Sequence, residues 1–153
     1  MKKLMVFAFC ALTLNACSGK KATDWTKAAD TADNIVKAAV LEVPLVQAAF
    51  PSLLSPTQAA KLTNADGSGL LDLAKKDVAL LKADIATGAS STKNAATIAE
   101  IEGYVNQAIA ATGPVLSVVC ASNDAKCVNA QTAYRSLVLA VPLLEIFLSN
   151  AGA

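Results

Sequence analysis

The sequence predicts an all-α protein: an antiparallel up-down four-helix bundle with proline-kinked helices and a short extra helix in the first crossover. Three observations carry that expectation. The 153 residues are 54% apolar, 16% charged and poor in aromatics, with Ala, Leu and Val dominant. That palette suits packed helices better than a β-sandwich. Apolar residues also recur in alternating steps of three and four over four long stretches. Finally, the links between the last three stretches are short, which sets neighbouring helices antiparallel.

The first helix is expected to start at Asp24, with its apolar stripe at Trp25, Ala28, Ala32, Ile35, Ala39, Val43, Val46 and Phe50. Pro44 interrupts the stripe without shifting its register. Ser55-Pro56-Thr57-Gln58 reads as an N-cap, a proline at the first helical position and a glutamine at the third, so a short helix to about Leu62 follows. "TNADGSG" is a loop.

The second long helix is expected from about Gly69 to Thr87, on Leu71, Ala74, Val78, Leu81 and Ile85, with Asp72 facing Lys76 and Gly88 closing it. A third stripe, Ile98, Ile101, Val105, Ala108, Thr112, Val115 and Val119, passes through Gly113-Pro114. It predicts one kinked helix from about Thr92 to Cys120. The fourth stripe is Cys127, Ala130, Tyr134, Leu137, Val141, Leu144 and Leu148, again crossing a proline, Pro142. "VLEVPLVQAAF" from Val40 and "VLAVPLLEIFL" from Val138 echo each other around their prolines. The carbonyls of Val40 and Val138 therefore lose their helical donors.

Before the bundle stands a different kind of segment. Met1-Lys2-Lys3 is basic, and Leu4 to Leu14 is an uncharged apolar run, too short to span a bilayer but suited to the core of a secretory signal. Leu14-Asn15-Ala16-Cys17 follows, with an aliphatic residue three before the cysteine and a small one directly before it. This stretch resembles the lipobox of bacterial lipoproteins. The resemblance covers residues 1–17 and says nothing of the fold beyond them. It implies diacylglyceryl transfer to Cys17, cleavage after Ala16 and acylation, for example with palmitate, of the new amino group. Residues 1–16 are then a signal peptide, 17–23 a lipidated tether and 24–150 the bundle.

A tether from Ser18 to Thr23 reaches about 20 Å when stretched, which holds the domain close to the membrane. Ser18 after the cysteine resembles enterobacterial cargo released to the outer membrane. The expected address is the periplasmic face of a Gram-negative outer membrane, with the membrane itself and an envelope protein as partners.

Function is bounded mainly by exclusion. The chain has no histidine, which removes the commonest general base and metal ligand. A formal charge of +1 gives no case for nucleic acid. With Cys10 in the removed signal, Cys120 and Cys127 remain, spaced to close a helix–helix turn, and in an exported protein they read as a disulfide. Their C-x₆-C spacing suits neither a redox motif nor a zinc site. "NADGSGLLD" offers Asn64, Asp66, Ser68 and Asp72 at calcium-like positions, but Lys75 stands where a bidentate Glu is needed, so no metal or other cofactor is expected.

Glu42 and Glu145 lie within the proline segments, Glu100 and Glu102 on the third stripe's flank, and Arg135 is the sole arginine. Solvated helix faces account for these charges, since no nucleophile or phosphate loop accompanies them. The expected function is a non-enzymatic interaction module of the cell envelope, one version of which is carried on a phage or mobile element and blocks or modulates an envelope component. The alternative is a bundle that binds a small molecule or lipid in an apolar cavity at Pro44, Pro114 and Pro142.

Overall fold

A computed structural model describes residues 24–121 and 123–151, and within them the protein is helical, with no strand. Helix α1 spans Trp25–Ala49, α2 Pro56–Leu62, α3 Leu70–Ala86 and α4 Ser91–Thr112. A 3₁₀ turn at Gly113–Ser117 leads to α5, Ala125–Ala140, and α6, Pro142–Ala151. The signal segment and tether, including Cys17, lie outside the described residues.

Local chemistry explains most boundaries. The Asp24 carboxylate accepts the Lys27 amide at 3.1 Å and opens α1. Ser55 and Gln58 form a reciprocal capping box: Gln58 N–H donates to Ser55 Oγ, and Ser55 N–H donates to Gln58 Oε1 at 2.9 Å. Gly88, at φ +74°, ends the α3 turn, with the Ala89 amide reaching back to the Asp84 carbonyl at 2.8 Å. Ser90 then caps α4 by accepting the Lys93 amide.

The prolines behave differently from one another. Helix α1 runs unbroken through Pro44. At Gly113-Pro114, by contrast, the expected long helix to Cys120 is not formed: α4 stops at Thr112 and the chain tightens into the 3₁₀ turn. The physical reason is the pairing of the two poorest helix residues. Glycine costs the most backbone entropy, and proline removes the donor for the Ala110 carbonyl. The expected fourth helix is likewise divided at Val141, which keeps helical dihedrals of −58° and −42° but hands over to α6 at Pro142.

Packing joins these pieces into one core. Leu71, Leu81, Ile98, Ile101, Val105, Val115, Leu137 and Leu144 are all buried, together with the α1 stripe. Helices α3 and α4 share the most extensive interface, and α1 packs on α3, α4 and α5. Lys82, late in α3, reaches Asp33 at 2.6 Å and Asp30 at 3.6 Å, both early in α1, so these two helices run in opposite directions. Trp25 Nε1 donates to Ser91 Oγ at 3.3 Å, which brings the starts of α1 and α4 together. The span Ala125–Asn150 is long and apolar enough to cross a bilayer by length and composition alone. Its Cys127, Ala130, Tyr134, Leu137 and Leu144 are nevertheless core residues here.

The "NADGSG" loop is closed by its own polar groups. Asp66 Oδ1 accepts the Ser68 amide at 2.8 Å and Asp72 Oδ2 the Asn64 amide at 2.7 Å. The expected Asp72–Lys76 pair is not made: Lys75 takes Asp72 at 3.5 Å, and Lys76 Nζ donates to the Gly67 carbonyl. At the loop's end, Gly69 presses on the end of α2. A Cβ there would lie 2.6 Å from the Leu62 carbonyl oxygen and 2.8 Å from Thr63 Cα. Gly69→Ala should therefore destabilise the fold by about 1–3 kcal/mol, since backbone must move to admit one methyl. Gly103→Ala, in open space within α4, should stabilise it by about 0.5–1 kcal/mol. Urea midpoints of the two variants moving in the same direction would contradict this packing.

Candidate functional site: a buried carboxyl at the helix breaks

Helix α1 buries a broader face than its expected stripe. Ile35, Ala39, Glu42 and Val46 follow one another in steps of four, three and four, so Glu42 turns inward beside Val43. It is 2% exposed, and its Oε1 has no hydrogen-bond partner among the described residues. The expectation that Glu42 lies on a solvated face is thus overturned. Neighbouring apolar helices take it out of water whatever its polarity.

Two polar side chains lie near enough to shift its charge or feel it. Thr112, buried at the last residue of α4, donates its hydroxyl to the Ala108 carbonyl at 3.0 Å. Tyr134 of α5 is 7% exposed, and its hydroxyl occupies the space that Gly113 leaves: a Cβ on that glycine would lie 3.2 Å away. Burial pushes the Glu42 carboxyl up to about 7, while a hydrogen bond from Thr112 would pull it down. The Ala108 and Ile109 carbonyls compete for the Thr112 proton at 3.0 and 3.4 Å, and desolvation is the larger effect. Burial, and then the charge of Glu42, raise the Tyr134 phenol as well.

The other expected residues fall elsewhere. Glu145 and Arg135 are exposed and do not converge on Glu42. Glu145 instead lies near Glu102, whose carboxyl is raised first by burial and then by that like charge. Asp77 is raised in the same way by burial and by Glu100. Among the described residues no carboxylate pairs with Arg135 within 4 Å. Cys120 and Cys127 are bonded to each other with Cα atoms 5.6 Å apart. Asp124, accepting the Lys126 and Cys127 amides at 3.1 Å, starts α5 inside that loop. A loop this short contributes about 2.5 kcal/mol in the chain-entropy picture.

Two shallow surface grooves mark the molecule, one lined by Thr57, Lys61, Asn64 and Leu70, the other by Thr26, Asp30, Lys82 and Ile85. Neither borders Pro44, Pro114 or Pro142. Among the described residues no three His, Cys, Asp or Glu side chains gather as a metal site would require. Glu42, Thr112 and Tyr134 together offer one carboxyl that can hold and release a proton, with two hydroxyls near it. The cluster was partly legible in advance, because Thr112 and Tyr134 both lie on apolar stripes, and the four-three-four spacing through Glu42 was the remaining signal. No protein-family model, curated protein or solved structure matches the chain.

Proposed function

We propose that the chain is a lipid-anchored, non-enzymatic module of the bacterial cell envelope that works by protein–protein contact. The observation that carries this is Leu14-Asn15-Ala16-Cys17 with its basic, apolar and polar flanks. Acyl chains on Cys17 would supply the anchor, since stable attachment takes more than one chain. The short tether would keep the domain near the periplasmic face of the outer membrane and raise its effective concentration there. In this reading the four helical passes make an up-down-up-down bundle, with α5 and α6 as one proline-interrupted pass. The Lys82 ion pairs and the Trp25–Ser91 contact support those directions.

Outward-facing apolar side chains favour contact over ligand capture. Leu41, Leu80, Val119 and Leu139 are 64%, 58%, 94% and 77% exposed. Residues next to the prolines, Val43, Val115, Val141 and Leu144, are packed into the core, which weighs against an apolar cavity there.

Cys17→Ser should leave an unprocessed precursor and move the protein out of the lipidated membrane fraction. Labelled palmitate is expected in the wild type and absent from the variant. Equal labelling of both would refute the anchor.

A further inference from the structure

Glu42 is the one fully buried carboxyl among the described residues, and it sits beside a proline and across from a helix end. Two residues on, Pro44 leaves the Val40 carbonyl without its helical donor. Across the contact, α4 has just ended at Thr112, and Pro114 is the second residue of the 3₁₀ turn. That turn is pinned mainly from α5, where Gln131 Nε2 donates to the Val115 and Val118 carbonyls at 2.9 and 2.6 Å. We propose that Glu42, Thr112 and Tyr134 form a proton-operated latch between α1 and the end of α4, closed while Glu42 is protonated and released when it ionises.

The protonated acid can rest against the Thr112 hydroxyl, whose own proton is engaged with Ala108 and whose lone pairs are free to accept. The carboxylate is favoured only by the Thr112 hydroxyl, for whose proton the Ala108 carbonyl competes. From α4 it faces Thr112 and from α5 the Tyr134 phenol. Neither α2, α3, α6 nor the 3₁₀ turn supplies a charged group that shifts its titration. A buried anion without a cation or sufficient donors must be hydrated. Water can enter most cheaply where helical hydrogen bonds are already missing, and α1 is otherwise continuous. The part that yields is therefore the end of α4 with its 3₁₀ turn. That segment carries the exposed Leu116 and Val119, so its release would alter an apolar surface.

Hydrogen exchange of the full chain with its disulfide intact, at pH 5 and pH 8 and corrected for intrinsic rates, tests the latch. Raising the carboxyl from 4.5 to about 7 predicts roughly 100-fold loss of protection at residues 108–119 on going to pH 8. Residues 70–81 of α3 should change far less. In Glu42→Gln the pH 8 protection should stay near its pH 5 value. An identical pH response in wild type and variant overturns the proposal. A carbon-13 titration of Glu42 in the wild-type chain needs no variant. A midpoint near 7, moving with the Gly113 amide and the Tyr134 ring, is expected. A midpoint near 4.5, or a raised midpoint with unchanged exchange at 108–119, equally overturns it.

Discussion

Raising the pH from 4.5 to 7.5 should cost the protein about 3 kcal/mol of stability through Glu42 alone, and Glu42→Gln should abolish that loss. The sign follows from which state holds the proton. Burial raises the folded carboxyl from 4.5 to about 7, with Thr112 opposing. Below 4.5 both states keep the proton and the group contributes nothing to the pH dependence. Between 4.5 and 7 the unfolded chain releases it while the folded one retains it, so stability falls by about 1.4 kcal/mol per pH unit. Above 7 both are ionised and the curve levels.

Asp33, held low chiefly by its hydrogen bond from Lys82, contributes in the opposite sense. Its stabilisation is lost only as pH falls below the ordinary aspartate range, outside this window. Asp77 and Glu102 are raised and slope the same way as Glu42, which is why the difference between wild type and Glu42→Gln is the quantity to measure. Urea denaturation at intervals from pH 4 to 8 provides it. Parallel curves for the two proteins would show that Glu42 is hydrated in the folded state. If the latch opens for less than the cost of burying the anion, the loss levels off early, at the free energy of that opening.

Ile101→Ala should be among the most damaging single truncations in the core, at roughly 2–5 kcal/mol. Ile101 is 0% exposed on α4, the helix that packs against α3, α1 and α6, so the space it leaves has walls on several sides and little means of collapse. Against a total of about 5–15 kcal/mol, such a loss leaves a marginal fold. Leu139→Ala, an equally apolar truncation at a residue 77% exposed, should change stability by no more than about 0.5 kcal/mol. Thermal or urea unfolding distinguishes them directly. Similar costs at both sites would mean that α4 is not the centre of the core.

Much of this architecture was legible in the residues themselves. The stripes through Ala28–Val46, Leu71–Leu81, Ile98–Thr112 and Cys127–Leu144 mark buried faces because helical periodicity is a local property of the chain. Ser55 and Gln58 announce their helix for the same reason: a capping box needs only four consecutive residues. The Cys120–Cys127 bridge follows from spacing and turn position.

The helix breaks were harder to place, because an apolar stripe continues through Gly113-Pro114 and Pro142 whether or not the hydrogen-bond ladder does. Proline tolerance depends on neighbours. Pro44 is carried within α1, whereas Pro114 coincides with a glycine and with Gln131 ready to take the carbonyls of the turn. Asp72 chose Lys75 over Lys76 for a comparable reason, the Gly67 carbonyl having claimed the second lysine.

The sequence by itself determined the helical class, the buried stripes, the caps and the cysteine pair, since each rests on interactions within a few residues. Only the tertiary structure decided that Glu42 belongs to the interior. Its charge speaks for solvent and its spacing for the core, and what settles the contest is α4 and α5 closing over it from 70 and 92 residues away at Thr112 and Tyr134. Desolvation is a property of that enclosure, so no local pattern could have stated how far the carboxyl would be raised.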